Sequence, residues 1–213
     1  MQTTRIIAIR HGETAWNVDT RIQGHLDIPL NDTGLWQARQ VGQALADEPV
    51  AAIYSSDLQR AYATAQAVAQ ATGAPLTPER GLRERGFGDF QGRTFQQIER
   101  ESPEQALRWR KRDPHYTPEG GESLVTLRDR IERTVTALAQ QHVGEQVVMV
   151  AHGGVLDVLY RLATRQDIQA PRTWQLANAA INRLLWTPDG LTLVGWADTQ
   201  HLDQIVVRDE NHA

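Results

Sequence analysis

Two patterns of apolar positions alternate along the chain. Short apolar runs rich in β-branched residues occur at Ile6-Ile7-Ala8-Ile9 and at Gln146 to Val150, and Ala51 to Ser55 reads as another short strand. Runs of this kind suit strands buried on both faces of a parallel sheet. Between them, apolar residues recur at helical spacing. Leu35, Ala38, Val41, Gly42 and Leu45 predict an amphipathic helix over 34–47 capped by Asp32 or Thr33. A second helix is expected from Ser56 or Asp57 to about Thr72, closed by Gly73. Thr94 with Gln97 forms a capping box for a third, and Pro103 opens a fourth. Leu124, Leu127, Ile131, Val135 and Leu138 form one apolar stripe behind Ser123, and a last helix runs from about Val155 to Thr164. Leu76 to Leu82 reads as a further strand. Ala180 to Trp186 and Leu191 to Trp196 flank Thr187-Pro-Asp-Gly190, which is a hairpin signal. Strands alternating with helices predict a three-layer α/β/α fold with a largely parallel central sheet and one antiparallel strand. No linker divides the chain, so residues 1–213 are expected to form a single domain.

Two of these strands end alike. The first runs into Arg10-His11-Gly12 and the later one into Ala151-His152-Gly153-Gly154. Glycine permits a sharp turn and close approach to a ligand, and open α/β sheets bind ligands at the carboxyl ends of their strands. Arg60 falls in the first turn of the helix after the second strand. Glu84 lies in the glycine-rich loop RGLRERGFGDFQGRT from Arg80 to Thr94. Taken one at a time, His11 and His152 also suit buried core histidines, and Glu84 a solvated loop charge. Together they would make a cationic pocket with one carboxyl group. That composition suits phosphoryl transfer, because guanidinium groups bind phosphate oxygens in bidentate fashion and stabilise charge in the transition state. A histidine among arginines has its pKa lowered and is neutral near pH 7, free to attack phosphorus. No aspartate cluster suggests a metal site, and His11 and His152 lack the spacing of a local zinc motif. No metal and no cofactor are therefore expected.

Composition narrows the alternatives. The 213 residues carry a net charge of −4 and no cysteine. A disulfide framework and a thiol nucleophile are excluded, and nothing global points to nucleic acid or an anionic membrane. No apolar stretch approaches the roughly 18 residues of a membrane span. The chain enters its first strand almost at once, so a signal peptide is not expected and a cytoplasmic location is the default. The basic run Arg108-Trp-Arg-Lys-Arg112 reads first as a solvated helix face. The charged tail from Gln204 is expected to be mobile. The six tryptophans do not by themselves set an oligomeric state.

Five blocks in order carry a resemblance: RHGETAWN at 10–17, SSDLQRAYATA at 55–65, LRERGFGDFQG at 82–92, GGES at 120–123 and VAHGG at 150–154. They resemble the histidine phosphatase superfamily, which includes the phosphoglycerate mutases, and they cover nearly the whole chain. The resemblance implies that His11 is the nucleophile and becomes a phosphohistidine. It implies that Arg10, Arg60 and His152 hold the phosphoryl group, and that Glu84 protonates the leaving oxygen and then activates water. Asn17, Gln23 and Gly24 match phosphate-binding loop positions, and Gly153 is expected to contribute a backbone amide. Gln91 departs from the family pattern, which often has glutamate there. The partner implied is a small phosphorylated metabolite, with inorganic phosphate as product. Only 67 residues lie between Glu84 and His152, fewer than in the bisphosphoglycerate-dependent mutases. Gln23-Gly24-His25, the block at 120–123 and the ending WADTQHL at 196–202 also resemble the phosphatase branch. A metal-independent phosphomonoesterase is thus the expectation. A phosphoglycerate mutase is the alternative, with the run at 108–112 serving a second acidic group. A catalytically silent phosphate-binding module is a third reading, opposed by a competent residue at every proposed position.

Overall fold

A computed structural model describes residues 2–203. The charged tail from Gln204, expected above to be mobile, lies outside them. Among the described residues, six strands form one sheet: β1 (Thr4–Arg10), β2 (Ala52–Ser55), β3 (Leu76–Pro78), β4 (Gln146–Ala151), β5 (Ile181–Thr187) and β6 (Gly190–Asp198). Their order across the sheet is β3-β2-β4-β1-β5-β6. The pairings of β1 with β4, β4 with β2 and β2 with β3 are parallel. β5 alone runs against the others, so both its pairings are antiparallel. The helices are α1 (Ala15–Val18), α2 (Asp32–Leu45), α3 (Gln59–Thr72), α4 (Phe95–Glu101), α5 (Pro103–Arg110), α6 (Leu124–Gln140) and α7 (Gly153–Thr164).

The period of two along the central strands divides the core into two layers. Ile6 and Ala8 of β1, with Val147, Met149 and Ala151 of β4, pack under Leu127, Ile131 and Val135 of α6 and Val155, Leu156 and Leu159 of α7. Ile7 and Ile9, with Val148 and Val150, pack on the opposite face under Val41 and Leu45 of α2 and Ala61, Ala65 and Val68 of α3. Both faces of β1 and β4 are therefore covered, which is why their sequences read as unbroken apolar runs. Phe90, Ile98, Ala106 and Tyr116 form a smaller cluster beside the main core, with Trp109 stacked on Phe87 and Phe90. This cluster carries α4 and α5.

Four local expectations are corrected. Asn31, not Asp32 or Thr33, caps α2, its side chain accepting from the Gly34 amide. α3 begins at Gln59 behind Leu58, so neither Ser56 nor Asp57 is its cap residue, and Ser56 is free for another partner. The strand expected over 76–82 stops at Pro78 and gives way to a 3₁₀ turn at Arg80–Leu82. Glu79 still donates its amide to the Ser55 carbonyl, and its side chain then accepts from the Gly81 amide and caps the turn that ends the strand. α7 begins at Gly153, two residues earlier than the apolar pattern indicated, because His152 itself takes the N-cap position.

Candidate active site

The parallel register sets Arg10 opposite Ala151, so the residues that follow, His11 and His152, leave the sheet side by side. Their rings lie 5.2 Å apart, centre to centre, tilted at 60°. Both are buried, His11 at 3% and His152 at 0% exposure. Arg60 reaches them from the first turn of α3 and is itself 1% exposed. Its two terminal nitrogens donate to the Leu26 and Gly24 carbonyls at 2.9 and 2.7 Å. The arginine thereby ties the loop between β1 and α2 to the sheet edge. Arg10 donates through Nη1 to the Leu176 carbonyl.

The two histidines are oriented differently. His11 Nδ1 lies 2.6 Å from the Gly12 carbonyl. A carbonyl only accepts, so Nδ1 carries the proton and Nε2 the lone pair. His152 contacts the Ser56 hydroxyl through Nε2 at 2.8 Å. The Ser56 oxygen also accepts from the Leu58 amide at 3.3 Å, and with the Ser56 hydroxyl proton directed to Nε2 the proton of the His152 ring lies on Nδ1. Burial is the largest cause of a pKa well below the ordinary value for both rings. The Arg10 and Arg60 charges add to it for His11, and Arg60, His11 and Arg10 for His152. Both are therefore neutral near pH 7. Burial likewise lowers Arg60 to about 10. Of the buried nitrogens without a protein partner, three belong to this site: Arg10 Nε, Arg60 Nε and His152 Nδ1. Buried donors left unpaired are costly, and three around one imidazole make a cradle for an anion.

Glu84 stands at the same site. The Gly154 amide, in the first turn of α7, donates to both of its carboxylate oxygens at 3.1 and 3.0 Å, and the Arg85 amide donates to Oε1 at 2.7 Å. A Cβ on Gly154 would stand 2.2 Å from Glu84 Oε1, so the second glycine after His152 is required for this approach. The equivalent point on Gly153 has nothing nearer than 3.6 Å, and that atom is Arg10 Nε. Gly153 thus borders the arginine, while the amide already engaged belongs to Gly154.

The loop residues support one another. Asn17 closes the capping box of α1 with Thr14, and Gln23 Oε1 accepts from the Thr14 hydroxyl at 3.0 Å. Gly24 adopts φ +53 against the Gln91 side chain, whose Oε1 accepts from the His25 amide at 2.7 Å. The amide oxygen of Gln91 thus does there what a carboxylate would. Residues that sequence reasoning missed also converge here. Asn178 donates to the His11 carbonyl at 2.9 Å and to Asn17 Oδ1 at 3.3 Å. Thr64 accepts from the Gly12 amide at 3.0 Å. Asn178 lies 167 residues from His11 and carries no local signal. Ser56 was visible only as a helix-cap candidate.

A cavity of about 690 Å³ is bordered by Arg10, Gly153 and Gly154 and walled by Arg85, Arg112, Arg172, Phe87, Trp109 and Trp174. The basic run divides in two. Arg108 pairs with Asp113 and Arg110 with Glu99, both on the surface as expected. Arg112, at φ +52, turns inward to Asp157 at 2.8 Å and to the Ile168 carbonyl. A second cavity of about 490 Å³, between α6, α7 and the β5–β6 turn, contains none of the candidate residues. Among the described residues, no group of three or more histidine, aspartate or glutamate side chains could hold a metal ion, and no helix is long and apolar enough to cross a membrane.

A phosphoglycerate mutase-like protein of Arabidopsis thaliana is 39% identical over 93% of this chain and 87% of its own length. A metal-independent phosphoserine phosphatase of the same plant is 36% identical over 96% of this chain and 85% of its own. The crystal structure of a phosphoserine phosphatase from Entamoeba histolytica, in complex with 3-phosphoglyceric acid, superposes with a TM-score of 0.84 at 28% identity, covering 94% of this chain and all of that one. The family model for branch 1 of the histidine phosphatase superfamily matches residues 6–199, and the chain belongs to that family.

Proposed function

We propose that this chain, acting as one domain, hydrolyses small phosphate monoesters through a phosphohistidine on His11, without a metal. The observation that carries the reading is the trio of unpartnered buried donors, Arg10 Nε, Arg60 Nε and His152 Nδ1, around an imidazole whose lone pair sits on Nε2. His11 Nε2 attacks phosphorus while the donors take up the charge on the equatorial oxygens. The ester P–O bond breaks, and Glu84 gives its proton to the departing alkoxide. Glu84 then removes a proton from water, which attacks the phosphohistidine. Inorganic phosphate leaves and the neutral imidazole is restored. Asn17, Gln23, Gly24 and Gly153 line the phosphate side of this arrangement. The phosphoserine phosphatase relative supports a small phosphorylated metabolite as substrate, and a cytoplasmic location belongs to the same proposal.

A mutase reading is favoured by Arg112 and Arg172, which add positive charge to the cavity wall and could hold a second acidic group. Two measurements decide. Rapid quench with labelled substrate is expected to give an acid-labile, alkali-stable phosphoenzyme. Phosphate release from a panel of monoesters is expected to exceed isomerisation of 3-phosphoglycerate. Faster isomerisation than hydrolysis of every ester would reverse the choice. Absence of a phosphoenzyme would reject the mechanism.

A further inference from the structure

Glu84 belongs to no helix or strand. It follows the 3₁₀ turn at Arg80–Leu82 in a stretch whose carbonyls have no ladder to join. Buried carbonyls need donors, and one side chain supplies several. Arg130, on α6, donates through Nη1 to the carbonyls of Gly81 and Arg83, both at 2.9 Å, and through Nη2 to that of Glu84 at 3.3 Å. Its Nε and Nη2 grip the Glu122 carboxylate at 2.8 Å each. Glu122 Oε2 accepts in turn from the Gly86 amide at 3.0 Å, and the Glu122 amide donates to the Gly86 carbonyl at 2.7 Å. His25 donates from the other side to the Glu84 carbonyl at 2.8 Å. The backbone on both sides of Glu84 is thus held by one guanidinium and its carboxylate, while the Glu84 side chain rests on the Gly154 amide. Arg130 and Glu122 side chains are 20% and 15% exposed, so the pair is largely shielded from solvent.

We infer that Arg130, braced by Glu122, is a positioning residue that sets the reach of Glu84 for proton transfer. The inference rests on the reading of Glu84 as proton donor. Only a guanidinium has enough donors, in a fixed fork, to span three carbonyls and a bidentate carboxylate. Without it the loop carbonyls must find other partners and the Glu84 carboxylate shifts. Displacements of about 1 Å at a reacting group cost on the order of 10²-fold.

The test uses the dependence on leaving group. An alkyl phosphate expels a basic alkoxide and needs the proton, whereas p-nitrophenyl phosphate expels a stable phenolate and hardly does. For the purified full chain, Arg130→Gln is expected to lower kcat/KM for phosphoserine by on the order of 10²-fold and for p-nitrophenyl phosphate by less than about fivefold. Glu84→Gln should show the same selectivity, and Arg130→Lys an intermediate loss. If Arg130→Gln melts normally yet slows both esters equally, or neither, the inference is overturned. Should that variant fail to fold, Glu122→Gln decides: a smaller loss confined to the alkyl ester supports the positioning role, and an unselective loss rejects it. If Glu84→Gln shows no selectivity, the reading of Glu84 fails first and takes this inference with it. If Glu84→Gln is selective and Arg130→Gln is not, only the inference fails.

Discussion

The two strand–histidine–glycine units look like copies of one device, yet the fold assigns their rings opposite nitrogens. After β1, the Gly12 carbonyl takes the Nδ1 proton of His11 and leaves a lone pair on Nε2. After β4, the Ser56 hydroxyl engages Nε2 of His152 and leaves a buried, unpartnered Nδ1. One ring is set up to give electrons and its neighbour to give a hydrogen bond. The difference comes from the partner that each neighbouring segment supplies. A short motif can recur while its chemistry reverses, because tautomer and orientation are fixed by the atom the other nitrogen meets.

That asymmetry can be broken in graded steps. Replacing His11 by Ala should remove turnover by on the order of 10⁴-fold or more and abolish the phosphoenzyme in a quench experiment. Replacing His152 by Ala should cost about 10²–10³-fold in kcat/KM but leave a slowly formed phosphoenzyme. Equal losses from the two variants, with no label in either, would mean that the rings are not distinguished as described. The glycines offer the second comparison. Gly154→Ala forces a Cβ against the Glu84 carboxylate and should lower kcat/KM by on the order of 10²-fold, whereas Gly153→Ala, whose Cβ meets Arg10 Nε no closer than 3.6 Å, should cost less, about tenfold. The reverse order, measured on the same ester, would contradict the placement of Glu84. Ser56→Ala should lower kcat/KM by about tenfold, the effect of one lost hydrogen bond, while the yield of phosphoenzyme is retained.

The smallest effect is on stability and depends on pH. In the fold both histidines stay neutral, their pKa values held well below 6.5 by burial first and by the neighbouring arginines second. The unfolded chain takes up those protons near 6.5, so it binds more protons than the native state in acid. Stability should be flat above about pH 7 and fall as pH drops below 6.5, by about 1.4 kcal/mol per histidine for each pH unit. The fall ends where the native rings themselves protonate. Denaturant midpoints between pH 8 and 5 check this, and a variant lacking either histidine should lose about half of the slope attributable to the pair. An unchanged slope in both variants would show that neither ring is held neutral.

Much of the architecture was legible in local pattern. Unbroken runs at β1 and β4 marked strands covered on both faces, and the stripe from Leu124 to Leu138 marked α6, because burial of one face imposes a period on the sequence. The Thr94–Gln97 capping box and the Gly73 stop were readable for the same reason: each is complete within a few residues. The five candidate catalytic positions were visible through their motifs. Other parts lacked a local signature. Ser56 was misread as a helix cap because its acceptor is a ring 96 residues away. Asn178 joins the site from the far end of the chain, and Arg112 was grouped with its surface neighbours although one left-handed residue turns it inward.

The sequence by itself determined which segments become strands and helices, and that histidine, arginine and glutamate stand beside glycines at their ends. Those properties follow from the period of burial and from the backbone freedom of glycine, both written within a few residues. Only the tertiary structure decided which nitrogen of each histidine is free, that Gly154 and not Gly153 meets Glu84, and that a guanidinium on α6 holds the loop carrying that carboxylate. These are contacts between segments tens to hundreds of residues apart. They exist only once the sheet register has set β1 beside β4 and the helices have closed over both faces.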